Sequence, residues 1–292
     1  MKERIRIAIQ KKGRLSAETI NLLRSCGLKL STSNDQLFSQ SEEMPLDILY
    51  IREKEIPDFV NKGICDLGIV GKNSYYESNL TQKNKKSEIL LNLGYSKCSL
   101  TIAIPENSNI KKITDLNNKK IATYYPALTQ KFLKAKNIKS EMVLMTGSVE
   151  IAPRLKIADA ISDIVSTGST LSKNNLLKFK TILNSEALLL KTTKRISSER
   201  NEIIERLLKR IKGVIKATNS KYIMLHVNKN RLSKVVKMLP GAERPTILPL
   251  EGNPKKYAVH AVCKENVFWD TIEKLNKEGA SAILVLPIEK MI

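Results

Sequence analysis

The segment from Asp159 to Leu171 combines the residue types best suited to binding an anion. An apolar stretch that ends at Val165 reads as a strand, and a loop rich in serine, threonine and glycine follows it. Backbone N–H groups of such a loop, the start of the helix expected near Thr170 and several hydroxyls can direct donors at one point. Gly168 would let the backbone approach a phosphate closely. The pattern predicts a phosphate monoester site, and a plain polar turn with a helix cap is the alternative. The candidate binding residues are Ser166, Thr167, Gly168, Ser169 and Thr170.

Two carboxylates lie close to this loop. Asp163 is near the carboxyl end of the strand, where ligands bind in α/β sheets. A carboxylate repels a phosphate, so it suits sugar hydroxyls and, through water, Mg²⁺. Glu150 is interpreted as a second carboxylate that faces the sugar; alternatively, Ser148 caps a helix whose first turn Glu150 stabilises. Asp163 and Glu150 are therefore the candidate catalytic residues, and the ligand is a sugar with a 5′-phosphate.

A basic loop follows the first strand, Ile5–Ile9. Its Lys11 and Arg14 could clamp the phosphates of a nucleotide, although solvated surface charge is the alternative. Ser16 is predicted to cap the helix that follows.

The elements that must position these residues alternate between strand and helix, which predicts an α/β fold. Residues 1–92 with 184–218 are expected to form one catalytic lobe, and residues 93–183 a second lobe that carries the phosphate loop. A polar loop over 81–88 precedes the second lobe. Two lobes with a crossing connection leave a cleft, the usual place for a ligand. The first lobe is predicted to contain strands at 5–9, 46–51, 66–71 and 185–191 and helices at 53–61 and 198–218; the second contains strands at 99–104, 120–124 and 159–165.

Residues 219–292 change in character. Strand and helix signals follow the order βαββαβ, which describes a small ferredoxin-like domain. Such modules more often bind regulators than perform chemistry. The strands are predicted at 222–227, 246–250, 257–263 and 282–286, and the helices at 231–239 and 266–277.

Composition narrows the classes of function. The 292 residues carry a formal net charge of +21, but the lysines are scattered and aromatic residues make up only 5% of the chain. Stacking platforms for single strands are therefore scarce, and we expect no nucleic-acid partner. A positive field still favours polyanionic small substrates such as ATP. The four cysteines form no ligand or disulfide pattern, and no signal peptide or membrane helix is evident, so we expect a cytoplasmic protein.

The chain resembles the long form of the ATP phosphoribosyltransferase family, the first enzyme of histidine biosynthesis. The resemblance spans nearly the whole chain in family order. It is carried by residues 10–16 (QKKGRLS), 66–71 (DLGIVG), 147–154 (GSVEIAPR), 163–171 (DIVSTGSTL), 220–224 (SKYIM) and 240–247 (PGAERPTI).

This resemblance implies a two-lobed catalytic part similar to periplasmic binding proteins, with a C-terminal regulatory domain that binds histidine as feedback inhibitor. It implies that Asp163 to Thr170 hold 5-phosphoribosyl-1-pyrophosphate, with Glu150 beside the ribose. It adds Arg52 to the ATP side, Thr246 and Ala282 to the histidine site, Mg²⁺ as cofactor, and a homo-oligomer that ranges from dimer to hexamer. Ser169 and Tyr124 depart from the commoner family residues.

The expected reaction joins N1 of ATP to C1 of the ribose and releases pyrophosphate. N1 already carries a free lone pair, so the attack needs no general base. This agrees with the positions of the two histidines, His226 and His260, which lie far from the site motifs in the C-terminal part. The competing class is a solute-binding protein, because two α/β lobes with a cleft also describe such proteins, but the lack of an evident signal peptide argues against an exported one.

Overall fold

The computed structural model describes residues 3–30, 36–82, 87–239, 244–264 and 268–291, without the side chains of 268–270. Residues 240–243 of the stretch 240–247 and residues 266–267 of the predicted helix lie outside the described residues. The chain divides into two compact units, Met1–Arg24 with Leu28–Ile204 and Ser25–Gly27 with Glu205–Ile292. This division falls inside a 21-residue helix, whereas the sequence places the domain border at the end of that helix.

The helices and strands follow one another in short alternation. The strands are β1 (Ile5–Gln10), β2 (Phe38–Ser41), β3 (Leu46–Ile51), β4 (Leu67–Gly71), β5 (Ser87–Asn92), β6 (Cys98–Pro105), β7 (Lys120–Thr123), β8 (Glu141–Leu144), β9 (Ala160–Val165), β10 (Leu176–Ser185), β11 (Ala187–Thr192), β12 (Ser220–Asn228), β13 (Thr246–Leu250), β14 (Asn253–Lys264) and β15 (Ser281–Pro287). The helices are α1 (Arg14–Ser25), α2 (Ile56–Asn61), α3 (Lys72–Thr81), α4 (Pro126–Lys134), α5 (Ser169–Lys173), α6 (Ser198–Thr218), α7 (Leu232–Met238) and α8 (Phe268–Lys277). Short 3₁₀ turns cover Glu53–Glu55, Ile113–Leu116 and Val149–Ile151.

The first unit contains two sheets, which define its two lobes. Lobe I is the six-stranded sheet β2-β3-β1-β4-β11-β5 with α1 to α3, and lobe II is the five-stranded sheet β10-β6-β9-β7-β8 with α4 and α5. Strands β1, β3 and β4 run parallel in lobe I, and β7, β8 and β9 run parallel in lobe II. The carboxyl ends of each parallel set therefore share one edge, which we call the ligand edge of that lobe.

Apolar burial explains why these strands form the interior. All five residues of β4 are buried, as expected for a central strand covered on both faces. In β1, Ile5, Ile7 and Ile9 are fully buried. Helix α1 packs one apolar side that includes Leu15, Leu22 and Leu23, and exposes its charged side.

The chain crosses between the lobes twice, at residues 93–97 and between β10 and β11. Backbone hydrogen bonds tie the two crossings together: Leu93 N–H donates to the Ala187 carbonyl at 2.9 Å, and Ala187 N–H donates to the Tyr95 carbonyl at 3.0 Å. A two-lobed α/β unit with a paired crossing confirms the predicted fold class.

The second unit contains the antiparallel sheet β13-β14-β12-β15. With α7 and α8 in their chain positions, this strand order is that of the predicted ferredoxin-like βαββαβ domain. One face of β12 buries Ile223, Leu225 and Val227 in the core of this domain, together with Val235 of α7 and Leu275 of α8. Its other face carries Tyr222, whose hydroxyl lies 2.6 Å from Nδ1 of His260.

Three local predictions need correction. Helix α1 begins at Arg14, and Ser16 does not cap it; the Gln10 side-chain oxygen accepts the Leu15 N–H at 3.0 Å and provides the cap instead. The helix predicted over 53–61 is a 3₁₀ turn followed by α2, because Pro57 near the start of α2 has no N–H to continue the earlier turn. Residues 87–88 begin β5 and are not part of a loop.

Within the described ranges, no helix is both long enough and apolar enough to span a bilayer.

Candidate functional site

The loop after β9 leads directly into the short helix α5, as the sequence predicts. Gly168 caps α5 with φ +87° and ψ −1°, a left-handed conformation that glycine adopts without a steric penalty. Ser166, Thr167, Ser169 and Thr170 are exposed, and the hydroxyls of Thr167 and Ser169 lie 3.1 Å apart. The structure thus brings the five predicted phosphate-binding residues into one exposed turn.

Asp163 lies two residues before the end of β9, next to Thr101 of β6. Its carboxylate accepts the Ile164 N–H at 2.8 Å. Burial, with a smaller contribution from the charge of Glu150, raises the pKa of Asp163 to about 6, although the Ile164 N–H bond acts in the opposite direction. Glu150 belongs to the 3₁₀ turn Val149–Ile151, which packs against β9. The two candidate catalytic carboxylates are therefore neighbours.

Ser148 precedes this turn in a left-handed conformation with φ 50°. Its hydroxyl makes no capping bond within the described part of the chain, so the capping alternative for Ser148 is wrong. Glu150 is left half-buried beside Asp163.

Lys178 of β10 is a basic residue at the loop that the sequence does not single out. Its Cε lies 3.2 Å, and its Nζ 3.7 Å, from the point that a Cβ on Gly168 would occupy. The Lys178 ammonium group therefore lies beside Gly168, the residue of the turn that has no side chain. The local sequence contains no signal for this contact, since it depends on the pairing of β10 with β6.

The ligand edge of lobe I carries the predicted ATP-side residues. Lys11 follows β1 and Arg52 follows β3, and the Lys11 N–H donates to the Ile51 carbonyl at 2.9 Å, so these two residues end adjacent strands. Arg14 lies in the first turn of α1, and its guanidinium donates to the carbonyl of Ser96 in the crossing between the lobes. The structure brings Lys11 and Arg52 together and directs Arg14 toward the crossing.

A half-buried carboxylate, Glu53, organises this edge. It accepts hydrogen bonds from the Ser74 hydroxyl at 2.8 Å, the Gly71 N–H at 3.2 Å and the Gln10 amide at 3.4 Å. A Cβ on Gly71 would stand 2.6 Å from Oδ1 of Asn73 and 2.7 Å from the Glu53 carboxylate, so a larger residue would displace these two side chains. The bonds link the ends of β1, β3 and β4, and the sequence does not reveal Glu53 as their common acceptor.

The two ligand edges meet at Tyr124 and Tyr125. The Asn73 side-chain amide of lobe I donates to the Tyr125 hydroxyl of lobe II at 2.9 Å. Burial raises the pKa of Tyr125, and the charges of Glu53 and Asp163 add to this effect. Tyr125 thus stands between the carboxylates of the two lobes.

A cavity of about 290 Å³ opens beside this contact. Lobe I contributes Lys54, Ser74, Glu77, Ser78, Thr81 and Gln82 to its wall, and lobe II contributes Tyr124, Tyr125, Pro126, Leu144 and Thr146.

The predicted histidine-site residues lie in the second unit. Thr246 begins β13 and Ala282 lies in β15, the two opposite edges of the four-stranded sheet. Both are exposed, and Ala282 has φ 49°. The structure does not bring these two residues together within one chain.

Comparison with known proteins decides the family. The family model of HisG, ATP phosphoribosyltransferase, matches residues 52–213, and the model of the HisG C-terminal domain matches residues 217–290. The ATP phosphoribosyltransferase of Maricaulis maris (strain MCS10) is 46% identical over 293 residues, which cover 100% of both chains. The chain belongs to the ATP phosphoribosyltransferase family.

As an ATP phosphoribosyltransferase, the enzyme joins N1 of ATP to C1 of phosphoribosyl pyrophosphate and releases pyrophosphate, the first step of histidine biosynthesis. A solved structure, the ATP phosphoribosyl transferase (HisG:HisZ) complex from Thermotoga maritima, aligns with a TM-score of 0.59 at 23% identity. The alignment covers 71% of this chain and 98% of that one, and it shows a shared fold.

Proposed function

We propose that lobe II of this ATP phosphoribosyltransferase holds phosphoribosyl pyrophosphate along the carboxyl end of β9. Ser166, Thr167, Gly168, Ser169 and Thr170 bind the 5′-phosphate, and Asp163 and Glu150 face the ribose. One observation carries this assignment: the turn at Gly168 exposes several hydroxyls beside Lys178 and follows Asp163 along the chain, and Glu150 lies near Asp163. Donors for the 5′-phosphate therefore lie next to acceptors for the sugar hydroxyls, as the phosphate lies next to the ribose in the ligand.

Lobe I holds ATP in the same proposal. Lys11 and Arg52, at the ends of adjacent parallel strands, attract its phosphates. Arg14 is the first residue of α1, where its bond to the Ser96 carbonyl fixes the guanidinium near the crossing. ATP then approaches the ribose from the opposite ligand edge.

Catalysis by these residues relies on positioning and electrostatics. The N1 lone pair attacks C1 directly, and the negative charges of Asp163 and Glu150 favour the positive charge that develops on the ribose as pyrophosphate departs. His226 and His260 lie in β12 and β14 of the second unit, so neither is part of lobe I or lobe II.

We propose Mg²⁺ as the cofactor, bound mainly through substrate phosphates. Among the residues that the structure describes, no three acidic, histidine or cysteine side chains form a metal cluster. The neighbouring carboxylates Asp163 and Glu150 nevertheless supply the hard oxygen atoms that Mg²⁺ accepts, directly or through water. When bound, the ion would neutralise charge on the leaving pyrophosphate.

Regulation and assembly are further parts of the proposal. Histidine binds the C-terminal domain through Thr246 and Ala282 and inhibits the enzyme. Because these residues lie at opposite edges of one sheet, a single histidine can contact both only where two copies of the chain meet. This supports a homo-oligomer, from dimer to hexamer. The four free cysteines, three of them buried, support a reducing cytoplasmic setting.

A turnover assay tests the proposal. The protein is incubated with ATP, phosphoribosyl pyrophosphate and Mg²⁺, pyrophosphate release is followed, and the assay is repeated with histidine and with chelator. We expect release that depends on all three components and that histidine lowers. Binding of either substrate without release of pyrophosphate would favour the solute-binding class. Full activity with histidine present would contradict the proposed inhibition by histidine. Full activity with chelator would contradict the proposed requirement for Mg²⁺.

A further inference from the structure

Helix α4 of lobe II is capped by a residue of lobe I. The two carboxylate oxygens of Glu77, in α3, accept the N–H groups of Ala127 and Leu128 at 2.8 Å each. The cap residue of α4 itself, Tyr125, makes no side-chain capping bond among the described residues, and Pro126 at the first helical position has no N–H to offer. The first free donors of α4 are therefore satisfied across the boundary between the lobes.

The physical chemistry of this contact makes it strong. Hydrogen bonds from N–H groups to an ionised carboxylate are stronger than neutral ones, and a negative charge at a helix N-terminus is favoured by the helix dipole. Burial raises the pKa of Glu77, and the two N–H bonds act in the opposite direction.

Beside this contact, Asn73 makes two further hydrogen bonds, one to Tyr125 near the proposed ribose site and one to the crossing between the lobes. Asn73, at the start of α3, donates to the Tyr125 hydroxyl at 2.9 Å and accepts from the Ser185 hydroxyl at 2.6 Å. Ser185 ends β10, where the chain returns to lobe I. Tyr125 in turn feels the charge of Asp163. Side-chain hydrogen bonds thus lead from the crossing through Asn73 of α3 to Tyr125 at the start of α4, which is within range of the charge of Asp163.

We infer that Glu77 is a positioning residue, which fixes the phosphoribosyl site of lobe II relative to the ATP-side cations of lobe I. Each substrate binds mainly to one lobe, so the distance between N1 and C1 depends on how the lobes are held. Small errors in that distance reduce the rate far more than they reduce binding. Glu77 is suited to this task because it joins a helix of each lobe by two bonds to backbone atoms.

The kinetic test compares Glu77→Ala and the near-isosteric Glu77→Gln with a matched control, Asp115→Ala. Asp115 also accepts two backbone N–H groups, those of Lys111 and Lys112 at 2.8 Å each, but all three residues belong to lobe II. We expect kcat to fall about tenfold or more in Glu77→Ala and less in Glu77→Gln, with each KM within about threefold of the parent value. The control should retain the parental kcat.

A direct measurement of lobe positions accompanies the kinetics. Spin labels are attached at Glu42→Cys in lobe I and Lys139→Cys in lobe II, two exposed positions, with Cys98 replaced by serine. We expect the distance distribution to broaden in Glu77→Ala and to remain narrow in Asp115→Ala. The kinetic arm rests on the proposed function, whereas the label distances do not, so failure of one is distinguishable from failure of the other.

Two results would overturn the inference. One is an unchanged distance distribution in both Glu77 variants. The other is a kcat loss in Asp115→Ala as large as that in Glu77→Ala, which would mean that loss of any two such bonds weakens the fold equally. Circular dichroism establishes that each variant is folded, and Glu77→Gln keeps the test valid if the alanine variant is not.

Discussion

The two ligand edges of the catalytic unit are built in different ways. At the edge of lobe I, polar side chains satisfy one another: Gln10 bonds both the Leu15 N–H and Glu53, and Glu53 accepts from Gly71 and Ser74. At the edge of lobe II, the hydroxyls of Ser166, Thr167, Ser169 and Thr170 are exposed. Burial raises the pKa of Asp163, so its charged form is disfavoured there.

This difference indicates how the work is divided. Side chains that are bonded to one another hold a fixed shape, so the ligand edge of lobe I is organised without a bound ligand. The exposed hydroxyls of lobe II are hydrated and can exchange that water for a ligand, whereas the raised pKa of Asp163 means that burial disfavours its charged form. Asp163 is therefore a group of lobe II whose burial lowers stability once it is charged.

Substitution of Asp163 tests this contrast most severely. We expect Asp163→Asn to lower kcat/KM by about 100-fold, since a charge aimed at the developing positive ribose is lost. The folded-state pKa of Asp163 is raised from 3.8 to about 6, so its contribution to stability is present at low pH and is lost as the pH rises from about 4 to 6. The asparagine variant should therefore be more stable than the parent at pH 7.5, by about 1 kcal/mol.

The measurements are steady-state kinetics from pH 5 to 8 and urea unfolding at pH 5 and 7.5. In the parent enzyme kcat/KM should decline below pH 6 as Asp163 takes up a proton. If the asparagine variant keeps this decline, or matches the parental kcat/KM, Asp163 has no role in catalysis.

A methyl group on Gly168 tests the opening of the turn. We expect Gly168→Ala to raise the KM for phosphoribosyl pyrophosphate about tenfold, because the new Cβ strains a left-handed residue and meets Lys178. Gly279→Ala is the matched control: its φ of +81° imposes similar backbone strain, but nothing lies within 4 Å of the new Cβ. If both variants raise that KM equally, the space at Gly168 has no special role.

Removal of the charge at Lys178 should have a smaller effect. We expect Lys178→Met to raise the KM for phosphoribosyl pyrophosphate about threefold to fivefold with little change in kcat, as for one exposed cation near a phosphate. Lys180→Met, two residues further along the exposed strand, is the control, since a bulge separates the two positions. Equal kinetics for both variants and the parent would exclude Lys178 from the phosphate site.

The smallest effect is expected at the pre-organised edge. Gln10→Ala removes the acceptor for the Leu15 N–H and should lower the free energy of unfolding by about 1 kcal/mol, as for other lost helix caps. The KM for ATP should rise modestly because Lys11 and Arg14 flank the affected turn. Differential scanning calorimetry and initial rates measure the two quantities. A variant as stable as the parent would show that lobe I is not organised by this bond.

Much of the architecture could be predicted from residues that are near in sequence. The helix over Ser198–Thr218 and the strand over Leu46–Ile51 agree with prediction to the residue, because continuous apolar periodicity marks them. The βαββαβ order of the second unit followed in the same way. Predicted helix boundaries were wrong where a side chain outside the helix provides the cap, as Gln10 does at the start of α1.

The sequence by itself determined the fold class, the serine- and threonine-rich loop after β9 and the place of Asp163 near the end of that strand, because each depends on residue types within a dozen positions. Only the tertiary structure decided that Lys178 stands beside Gly168, that Glu53 joins three strand ends and that Glu77 caps a helix of the other lobe. Those contacts join residues whose proximity depends on strand order and register, and on how two separate sheets meet. No local pattern encodes that information, since it arises from the packing of the whole unit.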